Sequence, residues 1–184
     1  MARYSQLPED DPHYTIIGRV ASYWAVLEAL IDGAIAHLAL CGESEMACVT
    51  AQLIGPAKRM DALIALFTHR KGSDILRKQL KSFQGRIQQL GEDRNRVVHD
   101  PLVLDDETGK VSKLLATAKG ELKFSFQPIS KQQMIDVGVS IKRAGQDFIE
   151  LRNAIEAEMN DILQAQLKRT AEARDGQNPP DENP

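Results

Sequence analysis

The sequence predicts a mainly α domain, a bundle of four to five helices with a small antiparallel β-meander inserted before the last long helix. Three observations carry that expectation. Apolar residues recur at alternating steps of four and three over several long segments, which turns one face of a helix toward a core. Between residues 102 and 127 the period changes to two, the mark of strands. Aromatic residues make up only 5% of the chain, which suits helices packed through Leu, Ile and Ala better than a sandwich or barrel.

With 184 residues, the chain is long enough for one domain to bury its own core. We divide it into a flexible arm over 1–12, a helical domain over 13–169 that includes the meander, and a disordered acidic tail over 170–184. The tail holds Glu172, Asp175, Asp181 and Glu182 against Arg174, which accounts for the whole net charge of −3. The body is therefore near neutral. A near-neutral body argues against broad nucleic-acid binding, which needs a basic field, but allows a small phosphate-contacting site.

The first helix is expected over 14–40, with Ile17, Val20, Trp24, Leu27, Ile31, Ile35 and Leu38 in its apolar stripe and Gly42 as a C-terminal cap. Glu28 falls inside that stripe. A short helix over 44–53 ends at Gly55-Pro56, and Pro56 suits the first turn of a third helix that turns Met60, Leu63, Ile64 and Phe67 inward. Ser73 caps a fourth helix with Leu76, Leu80, Phe83, Ile87 and Leu90 on one face. It must stop near His99, because Asp100 precedes Pro101 and is pushed out of the α region. Ser130 with Gln133 forms a capping box, and Ile129 with Met134 a hydrophobic staple, at the start of a last helix expected to reach Lys168. At that length its far end is expected to project or to pair with another chain.

The informative stretch is Arg94-Asn95-Arg96-Val97-Val98-His99. With Ile87 at zero and ~100° per residue, Arg94 returns to about −20°, the centre of the buried face, while His99 lies off to the side at about +120°. Arg94 therefore reads as a core guanidinium in need of an anion. Glu28 is the candidate partner. Arg94 and His99 do not converge on one straight helix. Either the helix loosens before Pro101, or a second copy packs alongside in a twofold dimer.

Arg94-Asn95-x-x-x-His99 resembles the Arg-x(4–6)-His signature of HEPN domains, small helical bundles, often dimeric, many of which are metal-independent endoribonucleases. The resemblance extends to a long first helix with an internal acidic residue, here Glu28. It covers roughly 14–101 and the final helix; the meander is not part of a minimal HEPN bundle. It implies His99 as general base or acid, Arg94 as phosphate clamp, Asn95 as orienting group, and Glu28 and Arg96 in support. The chemistry is coherent: an imidazole suits proton transfer at neutral pH, and a guanidinium suits charge developing on phosphate.

The plainer readings stay beside it. His99 alone can be a helix-terminal histidine favoured by the dipole, and Asn95 an interfacial or capping amide. Lys58-Arg59 reads as ordinary helix-flank charge, and Asp105-Asp106-Glu107 as a solvated hairpin turn. His13, His37 and His69 read as surface or satisfied histidines, and Cys41 and Cys48 as reduced thiols. Two functions follow. The first is a HEPN-like ribonuclease in a toxin or defence setting, acting on RNA and met by a protein antitoxin. The second is a non-catalytic HEPN-like dimeric interaction module in which an Arg94–Glu28 pair is structural. Both imply a homodimer, no metal and no cofactor. With no signal stretch or membrane span in the sequence, a cytoplasmic location is expected.

Overall fold

The computed structural model describes residues 4–118 and 120–175. Five helices and four strands follow in the order β1 (Tyr4–Ser5), α1 (Pro12–Ala39), α2 (Glu43–Thr50), α3 (Gly55–His69), α4 (Asp74–Val98), β2 (Leu102–Asp105), β3 (Val111–Ala118), β4 (Leu122–Pro128) and α5 (Lys131–Asp175). The chain is mainly α, with the antiparallel sheet standing before the last helix as expected.

The core lies where the four long helices meet. Val20, Trp24, Leu27 and Ile31 of α1 close on Met60, Leu63 and Phe67 of α3, Leu80, Phe83 and Ile87 of α4, and Met134, Ile141 and Phe148 of α5. The α1 stripe begins at Ile16 rather than Ile17, one step of four before Val20. A glycine sets one close approach. A β-carbon on Gly91 would stand 3.2 Å from Cη2 of Trp24, so α4 lies directly against the indole.

Helix ends follow local chemistry. Asp11 caps α1 by accepting from the His13 amide at 2.9 Å, and its carboxylate also meets His13 Nδ1 at 2.6 Å. The capping box of α5 forms, with Ser130 N donating to Gln133 Oε1 at 2.8 Å and Gln133 N to Ser130 Oγ at 3.2 Å. Gly42 does not cap α1. Leu40 takes the left-handed conformation at φ 58°, while Cys41 N reaches Ala36 O and Leu40 N reaches His37 O, the paired bonds of a Schellman ending. Gly42 instead precedes α2 in an extended conformation.

The sheet has four strands in the order β1-β2-β3-β4, all antiparallel. The three-stranded meander is present and the arm adds a fourth strand. Tyr4 pairs with Asp105 and Ser5 with Leu104, Ser5 Oγ donates to Asp106 Oδ1 at 2.6 Å, and Leu7 is buried. The arm expected to be loose is thus tied to the sheet from Tyr4 onward; residues 1–3 lie outside the described residues. At the other end α5 runs through Asp175, beyond the expected end at Lys168 and into the stretch expected as a tail. Residues 176–184, with Asp181 and Glu182, lie outside the described residues. No single helix among the described residues is long and apolar enough to cross a membrane.

Candidate functional site at the end of α4

The last turn of α4 brings Arg94, Asn95 and His99 together. The helix ends at Val98, and His99 is its C-cap at φ −110°, ψ −22°, still bonded from its amide to Asn95 O at 2.9 Å. That φ departs from the helical value because Asp100 and Pro101 cannot continue the helix. The imidazole thereby swings back toward the preceding turn. Arg94 Nη1 donates to Asn95 Oδ1 at 2.9 Å and stands 2.9 Å from His99 Nε2. Of the two arrangements open in the sequence, loosening of the helix end brings the pair together within one chain.

The expected Arg94–Glu28 pair does not form. Arg59 of α3 occupies Glu28, at 3.5 Å from Nη1, and meets Asp32 one turn along α1 at 2.9 Å from Nε. Its Nη1 also donates to the Leu53 carbonyl at 2.7 Å. Arg59, read from sequence as flank charge, is instead the cation that neutralises the acidic side of α1. Glu28 therefore supports the α1–α3 contact rather than the α4 terminus. The Glu28–Asp32 spacing of one helical turn was the available signal.

Arg94 is half-buried. Its Nε is buried without a hydrogen-bond partner, and no carboxylate pairs with the guanidinium among the described residues. Val97 takes the buried place in the last turn, with Val98 half-buried beside it. Asn95 and His99 are exposed. A cation held by two uncharged acceptors at an accessible helix end retains charge for an incoming anion.

Arg96 is exposed and lines a cleft of about 160 Å³ between the end of α4, the sheet and the start of α5, a cleft that none of the trio lines. Lys113 of β3 lines the same cleft. Sequence reasoning missed Lys113, although its parity with Val111 and Leu115 in β3 places a lysine between two apolar residues on one strand face.

The other candidates fall as read. Asp105 Oδ1 accepts from the amides of Glu107 and Thr108 at 3.0 and 3.1 Å, closing a hairpin turn. Those bonds, led by Thr108, hold its carboxyl below the ordinary value. His13 is buried against Asp11, while His37 and His69 are exposed. Cys41 and Cys48 are free.

Comparison with protein-family models, curated proteins and solved structures returns no match.

Proposed function

We propose that the protein is a HEPN-like, metal-independent endoribonuclease working as a homodimer, with Arg94, Asn95 and His99 at its site. The observation that carries the reading is the Arg94 guanidinium, bonded at 2.9 Å to the neutral acceptors Asn95 Oδ1 and His99 Nε2. A structural arginine with a buried stem ordinarily ends on a carboxylate. This one ends on a titratable ring and an amide, at the surface.

The reaction uses these groups in sequence. A phosphodiester entering the site competes for the guanidinium, which leaves His99 Nε2 and binds the non-bridging oxygens. The freed Nε2 takes the proton of the ribose 2′-hydroxyl. The 2′-oxygen then bonds to phosphorus, and the P–O5′ bond breaks. Arg94 stabilises the charge of the phosphorane, and His99, now protonated, gives that proton to the departing 5′-oxygen. The products are a 2′,3′-cyclic phosphate and a 5′-hydroxyl. Asn95 keeps Arg94 in register throughout.

A toxin or defence role, with a protein antitoxin covering the site, fits an exposed trio of this kind. The rival reading, a non-catalytic interaction module, relied on Arg94 being consumed by Glu28, and Glu28 is engaged by Arg59.

The test is incubation of wild type and His99→Ala with total RNA in chelator, followed by end-group analysis. Wild type is expected to yield 2′,3′-cyclic phosphate ends and His99→Ala none. Equal cleavage by both proteins would discard the assignment.

A further inference from the structure

We propose that the cleft between the end of α4, the sheet and the start of α5 is an anion site for a phosphate group, built on Lys113 and Arg96. It stands apart from the Arg94–Asn95–His99 reading, since Lys113 belongs to the meander and none of that trio lines the cleft.

Lys113 is the central observation. Only 8% of it is exposed, yet its ammonium has no hydrogen-bond or ion-pair partner among the described residues. The stem is enclosed while the Nζ itself is not sealed from solvent, so Lys113 delivers an unpaired positive charge to the cleft, where an anion can neutralise it. Asp93 and Asp100 attract it from a distance, but neither forms an ion pair with it. Burial pushes its pKa down, Asp100 and Asp93 oppose that shift, and Arg96 adds to it.

The surrounding groups suit an oxyanion. Arg96 brings a second positive charge from α4 to the same cleft. Gln127, directly opposite Lys113 across the β3–β4 ladder, supplies an amide from β4. Gln133 lines the cleft too, and its Oε1 already accepts from Ser130 N and Oγ. The capping box thus leaves its amide nitrogen as the available donor. Val97 closes the apolar side, and Asp93 is the single acid in the lining. About 160 Å³ holds a tetrahedral oxyanion with a few waters, at ~30 Å³ per water. A point-charge lysine with a forked arginine from a separate element is a phosphate-binding pair.

The experiment follows the thermal midpoint of wild type, Lys113→Met and Arg96→Gln with inorganic phosphate, against chloride at matched ionic strength. Phosphate is expected to raise the wild-type midpoint above the chloride control, through ligand-linked stabilisation. That excess is expected to vanish in Lys113→Met and to shrink in Arg96→Gln. Methionine replaces the buried stem with apolar volume, so the basal midpoint should hold or rise; Arg96→Gln changes an exposed residue and gives a second reading should Lys113→Met fail to fold. No phosphate-specific rise in wild type, or an equal rise in all three, would overturn the site.

A labelled single-stranded RNA oligonucleotide separates the two sources of phosphate. If the ligand is a nucleic-acid backbone, Lys113→Met binds it more weakly, with a salt slope flatter by about one contact. If the ligand is free phosphate, wild type and Lys113→Met bind the oligonucleotide alike.

Discussion

The Nη1 of Arg94 lies 2.9 Å from the Nε2 of His99, and this contact fixes the tautomer of the ring. A guanidinium has only donors, so Nε2 must offer its lone pair and the ring proton must sit on Nδ1. Nitrogen-15 correlation spectra of the neutral protein should therefore show His99 mainly as the Nδ1–H form. In Arg94→Ala that preference should fall toward the Nε2–H form common in free imidazole. A His99 spectrum unchanged by the substitution would mean the contact does not persist in solution, and with it would go the proposed release of Nε2 by phosphate.

Arg59 leads to a stability prediction. Its side chain is 14% exposed and holds both Glu28 and Asp32. Arg59→Ala leaves two half-buried carboxylates on successive turns of α1 without their cation. The geometry lies between an exposed pair and a sealed one, and the expected loss is about 2 kcal/mol in urea unfolding. Double substitution of Glu28 and Asp32 to Gln in the Arg59→Ala background should recover part of it, by removing the like-charge repulsion. Additive losses in the triple variant would contradict the shared network.

How much of this was legible beforehand can be judged from the same residues. Periodicity identified the core faces of the long helices, because burial of a helix face is written into steps of three and four. The partner of Arg94 was not legible. A wheel places a Cα on a face, but four further bonds decide where a guanidinium ends, and Arg59 on a different helix had already taken Glu28. The convergence of His99 with Arg94 was half legible: Pro101 announced a loosened end, while the φ of −110° that carries the ring back is a conformational detail. The pairing of β1 was invisible, since a two-residue edge strand has no room for an alternating pattern. Gly42 was assigned the role of cap by residue type, and Leu40 assumed the conformation instead.

Leu40 offers a direct test of that substitution of roles. It is 72% exposed and sits at φ 58°, where a β-carbon crowds the neighbouring carbonyl. Leu40→Gly removes the crowding and loses little packing. Against it stands the greater freedom of glycine in the unfolded chain. The balance favours the variant by about 0.5–1 kcal/mol, read as a higher thermal midpoint with unchanged circular dichroism. A lower midpoint would show that Leu40 contributes contacts, in the groove it lines with the ends of α1 and α3 and with α5, that outweigh its conformation.

Asp11 gives the pH dependence. Its carboxyl is held below the ordinary value of 3.8, first by the hydrogen bond from the His13 amide, then by the contact with the His13 ring, with burial opposing. A carboxylate depressed in the folded state adds stability above its unfolded pKa and loses it as pH falls through the folded one. Asp11→Ala removes both the cap and this linkage. At pH 7 the variant should be less stable by about 1 kcal/mol, the usual worth of an N-cap side chain. As pH falls from the ordinary carboxylate value through the lower folded one, the wild-type carboxyl becomes protonated in both states and the two stability curves should draw together. Denaturant unfolding at intervals between pH 7 and pH 3 measures the gap directly. A gap that stayed constant across that range would assign the whole effect to the neutral hydrogen bond and none to the charge at the start of α1.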